Sequence, residues 1–145
     1  MIISIASDHG GFEQKQELAE YLRERGCTVL DRGPESNARC DYPDYALPVA
    51  NDVVGGQADF GVLVCGTGIG MCLAANKVHG VRAANVTSVE FAALAREHNN
   101  ANIVTLSGRF VSLEENERIL DTFLSASFEG GRHEQRVAKI MALER

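Results

Sequence analysis

Apolar residues fall into two rhythms that alternate along the chain. Short, nearly continuous runs occupy Ile2–Ser7, Thr28–Asp31, Phe60–Cys65, Val81–Val86 and Ile103–Ser107. Runs rich in Ile, Val and Leu predict strands covered on both faces, as in a parallel sheet. Between them the apolar positions recur at helical spacing. Phe12–Arg25 carries Leu18, Ala19 and Leu22 on one face, and Asp44–Val54 carries Leu47, Ala50 and Val54. Val89–His98 is rich in Ala, and Leu113–Ser125 aligns Ile119, Leu120, Phe123 and Leu124. A final helix over Arg132–Leu143 is expected to bury Val137, Ile140 and Met141.

Strand–helix alternation of this kind predicts an α/β chain of three layers, a Rossmann-like fold with a five-stranded parallel sheet and an extra C-terminal helix. Two helix starts read as capping boxes, Thr87-Ser88-Val89-Glu90 and Ser112-Leu113-Glu114-Glu115, in which hydroxyl and glutamate satisfy opposite orphan donors. Gly26 and Gly55-Gly56 stand where helices should stop. No linker, repeat or low-complexity segment interrupts the pattern, so residues 1–145 read as one domain.

Composition narrows the function classes. Of the 145 residues 45% are hydrophobic and 23% charged, the balance of a soluble globular chain. No apolar run approaches the roughly 18 to 20 residues a bilayer demands, so no membrane partner is expected. Met1–Ser7 lacks the basic and small-residue flanks of a signal peptide and leads straight into Asp8-His9, which favours a strand and a cytoplasmic location. A net charge of −6 argues against nucleic acid as a partner. An anionic substrate would need a local cationic cluster. The four cysteines, at 27, 40, 65 and 72, form no C-x-x-C and match no zinc spacing, so free thiols and no metal are expected.

Ligands of open parallel sheets bind beyond the carboxyl ends of the strands. The first run is followed by Asp8-His9-Gly10-Gly11, which suits close approach of backbone to a ligand, or simply a turn capped by Asp8. The third is followed by Cys65-Gly66-Thr67-Gly68-Ile69-Gly70-Met71, expected to enter a helix over Cys72–Lys77. Alternating glycines there free backbone N–H groups to converge on an anion, and the helix start adds positive potential. Such a cradle favours anions, a thiolate included. Cys65 adjoins it, although a plain core cysteine is the other reading. The stretch fails as a dinucleotide fingerprint, because Met71 stands where a third glycine belongs, and no Gly-Lys-Ser/Thr follows. His98-Asn99-Asn100 is either a polar site element or a helix C-cap. Gly108-Arg109 follows the fifth run. Arg132 and Arg136, four apart, share a helix face and offer guanidinium forks suited to phosphate. Asp41 and Tyr42 follow the second run, and spacing does not decide which faces a site.

The stretches S-D-H-G-G at 7–11, D-Y-P at 41–43, C-G-T-G-I-G at 65–70, A-A-N-K at 74–77, R-E-H-N at 96–99 and G-G-R-H-E-Q-R at 130–136 occur in one order across the chain. In this order the chain resembles the ribose-5-phosphate isomerase B family, with its galactose-6-phosphate and allose-6-phosphate isomerase relatives. The resemblance implies an aldose–ketose isomerase acting through an enediolate and needing no cofactor. It implies that Cys65 moves a proton between C2 and C1, that His98 assists ring opening and that Thr67 aids proton traffic between the oxygens. Backbone N–H groups around Gly66, Gly68, Ile69 and Gly70 would steady the enediolate. His9, Arg132 and Arg136 would hold the phosphate with Arg109 nearby, and Asp8, Tyr42 and Asn99 would contact the sugar. It also implies a homodimer, or a tetramer, with sites shared between subunits, and His98, Asn99 and Arg109 are the candidates for donation by the partner. One branch of the family uses a glutamate base; Met71 aligns with it here, which leaves the base role to Cys65.

Independently of the resemblance, abstraction of a proton next to a carbonyl requires a poised base and donors aimed at the developing oxyanion. Three alternatives stay open: a six-carbon sugar phosphate as substrate, a non-catalytic phosphate- or nucleotide-binding module, and a thiol-nucleophile enzyme such as a phosphatase. The last would want an arginine after the glycines, where Met71 and Cys72 stand.

Overall fold

The structure, a computed structural model, describes residues 1–145. Five parallel strands, β1 (Ile2–Ser7), β2 (Thr28–Asp31), β3 (Phe60–Cys65), β4 (Ala83–Asn85) and β5 (Ile103–Ser107), form one sheet in the order β2-β1-β3-β5-β4. Six helices connect or follow them: α1 (Phe12–Glu24), α2 (Tyr42–Val54), α3 (Ile69–Ala75), α4 (Val89–Glu97), α5 (Leu113–Ser125) and α6 (Arg132–Met141). The α/β class, the five-stranded parallel sheet and the extra C-terminal helix match the expectation.

Each face of the sheet has its own core. Ile3 and Ile5 of β1 join Val62, Val64, Val104 and Leu106 against α1, α4 and α5. The alternate residue Ala6 joins Leu63, Cys65 and Ile103 against α2 and α3. Ser4, on that second face, avoids an apolar burial by donating to Asp52 at 2.7 Å, and Arg32 donates to the same carboxylate oxygen at 2.6 Å. Burial penalises the Asp52 charge, but the Arg32 and Ser4 hydrogen bonds and the guanidinium charge outweigh it, so the carboxyl is held below its usual range.

Element boundaries shift where side chains intercept the backbone. β4 is shorter than Val81–Val86 because the Arg82 N–H donates to the Asn102 side chain at 2.8 Å rather than to a strand. The third helix starts at Ile69, not Cys72, because Gly68 turns the chain at φ 84°, a left-handed conformation that favours glycine. It stops at Ala75 because the Asn76 amide pairs with Ala83 from both sides, at 2.8 and 3.0 Å. α2 begins two residues earlier than expected, with Pro43 in its first turn, where no N–H is missed.

The capping boxes are half right. Ser112 caps α5 through the Glu115 N–H, but the Glu115 carboxylate turns to Arg118 at 2.7 Å. At α4 the cap is Ser88, not Thr87, and it receives the Phe91 N–H, which leaves no glutamate in the reciprocal position. Of the three apolar residues expected to be buried in α6 only Val137 is; Met141 is half-buried and Ile140 is 47% exposed, because no further layer of the chain covers that face. No helix is long and apolar enough to cross a membrane.

Candidate active site

β1 is flanked by β2 on one side and β3 on the other, so the connections leaving β1 and β3 diverge and open a crevice between their carboxyl ends. Asp8 closes β1 and accepts the N–H groups of Gly10 and Gly11 on one oxygen, at 2.8 and 3.1 Å. The turn-capping role therefore holds, while the second oxygen has no partner in the chain. Gly11 is obligatory, since a methyl there would collide with the Val64 carbonyl. His9 accepts the Cys40 N–H on Nδ1 at 3.3 Å, which directs the ring's donor nitrogen away from that loop. The loop itself is pinned by Lys15, a fully buried cation whose Nζ reaches Asp31, the Pro34 carbonyl and Gln16.

Cys65 ends β3 and is 5% exposed, with its flank against the second core. Its Sγ is not sealed in apolar surroundings, because the Gly68 N–H donates to it at 3.1 Å. The N–H groups of Gly66, Thr67 and Gly70 donate to nothing in the chain, whereas the Ile69 N–H is taken by Thr67 Oγ1 at 3.1 Å. Three unspent donors around a sulfur at a strand end form an anion cradle. Tyr42 lies against Gly70 closely enough that a methyl there would meet its ring at 2.7 Å, so Tyr42 rather than Asp41 is the residue of that loop resting on the cradle. Met71 is fully buried in the second core.

Arg109 arrives from the loop after β5. Its guanidinium lies over Gly10 and Gly66, and its N–H donates to the Gly66 carbonyl at 3.1 Å. Arg109, one of the candidates for donation by a partner, thus shares a crevice with Cys65 within one chain. Its position depends on residues that the sequence reading passed over. Ser107 donates to the Gly66 carbonyl at 2.7 Å and accepts the Phe110 N–H. Gln14 donates to the carbonyls of Gly108 and Val111, and fully buried Asn116 donates to Gln14 at 2.7 Å and to the Ser107 carbonyl at 3.0 Å. An asparagine in the apolar stripe of α5 was the available signal.

The remaining predicted residues stand elsewhere. His98 caps α4, whose carboxyl end lies at the amino end of the sheet, as does the start of α6 with Arg132 and Arg136. Ile103 pairs with Gly61 at that end and Ser107 with Cys65 at the other, four residues on, or about 13 Å at strand rise. A single chain therefore does not bring His98, Asn99, Arg132 or Arg136 to Cys65. The imidazoles of His98 and His133 stack with centroids 4.2 Å apart at 12°, and Glu129 reaches them at 3.3 and 3.8 Å. These three offer metal-ligand atoms within 4.8 Å of one another, but lone pairs lying in two stacked, near-parallel ring planes do not converge on one ion in this arrangement. Asn99 faces a separate cavity of about 660 Å³ with Lys77, Arg82 and Glu144.

A crevice of this make-up, with a cysteine in a ring of free amides and an arginine overhead on a parallel α/β sheet, defines a small-molecule enzyme for anionic substrates. Comparison with known proteins makes the class specific. Residues 3–140 match the family described as Ribose/Galactose Isomerase. The chain is 51% identical over 145 residues to the probable ribose-5-phosphate isomerase B of Mycoplasma genitalium, covering 99% of this chain and 95% of that one. The crystal structure of that Mycoplasma enzyme with bound ribulose-5-phosphate superposes with a TM-score of 0.94 at 51% identity, again over 99% and 95% of the two chains. The ribose-5-phosphate isomerase B of Clostridium thermocellum superposes with a TM-score of 0.98 at 49% identity, over 99% and 97%. The chain belongs to the ribose/galactose isomerase family and is an enzyme of the sugar-phosphate isomerase class.

Proposed function

We propose that residues 1–145 act as one domain that interconverts ribose 5-phosphate and ribulose 5-phosphate, with Cys65 as the base. The observation that carries this reading is the Gly68 N–H at 3.1 Å from Sγ, beside the unspent amides of Gly66, Thr67 and Gly70. A hydrogen bond of this kind is stronger to a thiolate than to a thiol. The sulfur takes the C2 proton of the open aldose, and the C–H electron pair becomes the C1–C2 double bond of an enediolate as the carbonyl pair moves to O1. The thiol, its proton exchanging with solvent, then protonates C1 while loss of the O2 proton re-forms the carbonyl at C2. The free amides supply the donors that such an oxyanion requires. Thr67 relays the proton between O1 and O2, while His9 and Arg109 meet the phosphate and the free oxygen of Asp8 meets a sugar hydroxyl. The bound ribulose-5-phosphate of the Mycoplasma relative supports the five-carbon substrate.

The site is completed by a second copy of the chain. His98, Asn99, Arg132 and Arg136 lie at the wrong end of the sheet in one protomer, and Phe110, beside Arg109, is 79% exposed. A homodimer that sets the amino end of one sheet against the carboxyl end of the other would join the two halves and cover such surface.

Incubation with ribose 5-phosphate in deuterated buffer, following ketose formation and label at the migrating position, tests the activity. Ketose with solvent deuterium at C1 is the expected result. Turnover of a six-carbon phosphate alone would move the substrate to the galactose side of the family, since pockets discriminate a methylene-sized step by only about 1–3 kcal/mol. Absence of turnover and exchange with any sugar phosphate would leave a non-catalytic binding module.

A further inference from the structure

Glu129 belongs to no motif assigned a role above, yet it is the only carboxylate in contact with His98. Its N–H donates to the Glu97 carbonyl at 3.0 Å, which ties the 126–131 connection to the end of α4 and sets Oε1 3.3 Å from His98 Nε2. The other face of the imidazole is closed by His133, stacked at 4.2 Å and only 8% exposed. His133 is itself held in place by its N–H to the Gly130 carbonyl at 3.0 Å. Burial first, then the neighbouring His98, Arg132 and Arg136 charges, push the His133 pKa below its usual value despite Glu129. The Glu129 carboxylate also lies nearer His98 than His133, at 3.3 against 3.8 Å. Glu129 meets Nε2 of His98 as an ion-pair contact, while Nδ1 meets no hydrogen-bonding or charged partner in the chain.

We propose that Glu129 is a positioning residue for ring opening: it holds the proton of His98 on Nε2, with His133 fixing the ring plane, so that Nδ1 faces the sugar as a bare base. A carboxylate behind an imidazole selects the tautomer and steadies the cation that forms when the ring takes up a proton. In the step it serves, the anomeric O1–H proton passes to Nδ1, the O–H pair becomes the C1=O1 double bond and C1–O4 breaks. The imidazolium then returns its proton to O4, and His98 ends as it began. This inference rests on the isomerase reading, and His98 acts on the cleft of the partner chain.

Ribulose 5-phosphate separates the two. With O5 esterified it forms no furanose ring, so exchange of its C1 protons with solvent deuterium reports enolisation at Cys65 without ring opening. Glu129→Gln keeps the side-chain shape at a half-exposed position and should leave that exchange within about twofold of wild type. The same variant should lower kcat/KM for ribose 5-phosphate about tenfold or more, the low end of a general acid–base contribution being roughly a hundredfold. Nitrogen chemical shifts of His98 should show the Nε2–H form in wild type and a mixture in the variant, and Glu129→Asp should fall between. Equal losses in both reactions, or no loss in either, would overturn the positioning role. Wild-type protein inert in both reactions would remove the isomerase reading, and this inference with it.

Discussion

The two ends of the sheet are built by different means. At the carboxyl end the loops are locked by backbone: the Asp8 N–H reaches the Val64 carbonyl, Gly108 reaches Cys65 at 2.8 Å and Arg109 reaches Gly66 at 3.1 Å. Glycines let these strands of chain touch, and Gln14, Ser107 and Asn116 tie the result from beneath. At the amino end the groups are held by side chains, an imidazole stack with a carboxylate, while Arg132 and Arg136 stand free in solvent. On the proposed reading, the first end holds the base and the oxyanion donors in place before substrate arrives. The second presents exposed cations and, on the same reading, the proton carrier that meets a ligand from outside. Preorganised donors cost nothing to arrange at the moment of reaction, which is why the proposal puts the chemistry at the backbone-locked end.

The comparison breaks most visibly at Cys65. Cys65→Ala should lower kcat by about 10²–10⁴ while calorimetry still detects ribulose 5-phosphate binding, because the arginine and the amides remain. Retained turnover would remove the base from the rigid end.

Mixing probes whether the two ends meet across subunits. Cys65→Ala and His98→Ala homodimers, unfolded and refolded together, should recover up to about a quarter of wild-type activity, since half the dimers carry one intact site of two. No recovery would show that each chain assembles its site alone.

Beneath the crevice, Asn116→Ala should cost about 1–3 kcal/mol in urea unfolding, as it strands the Ser107 carbonyl and Gln14. KM should rise with it, because Arg109 loses its seat, and kcat should change less. The smallest effect concerns pH. A histidine whose folded pKa lies below its unfolded value contributes stability that is complete above roughly pH 6.5 and lost as pH falls towards the folded value. Amide exchange around 126–133, corrected for intrinsic rates, should therefore quicken between about pH 7 and 5, more than in a His133→Asn variant.

The fold class was open to reading because strand and helix periods are local properties, and Ile3, Ile5, Val62 and Val64 alternate in sequence as they do in space. The cradle was open for a similar reason: Cys65 to Gly70 is one continuous segment, so composition and geometry coincide. Boundaries at β4 and α3 were not, since Asn102 and Asn76 intercept the backbone from 20 and 7 residues away. The roles of Asn116 and Glu129 were hidden for the same cause.

Sequence by itself determined the alternation of elements, the glycine-lined loop beside a cysteine and the presence of two imidazoles and three arginines suited to a phosphate. Only the tertiary structure decided which of these share a crevice. A parallel sheet sends every strand to one end and every returning helix to the other, so Arg109 stays with Cys65 while His98 and the α6 arginines are carried away from it.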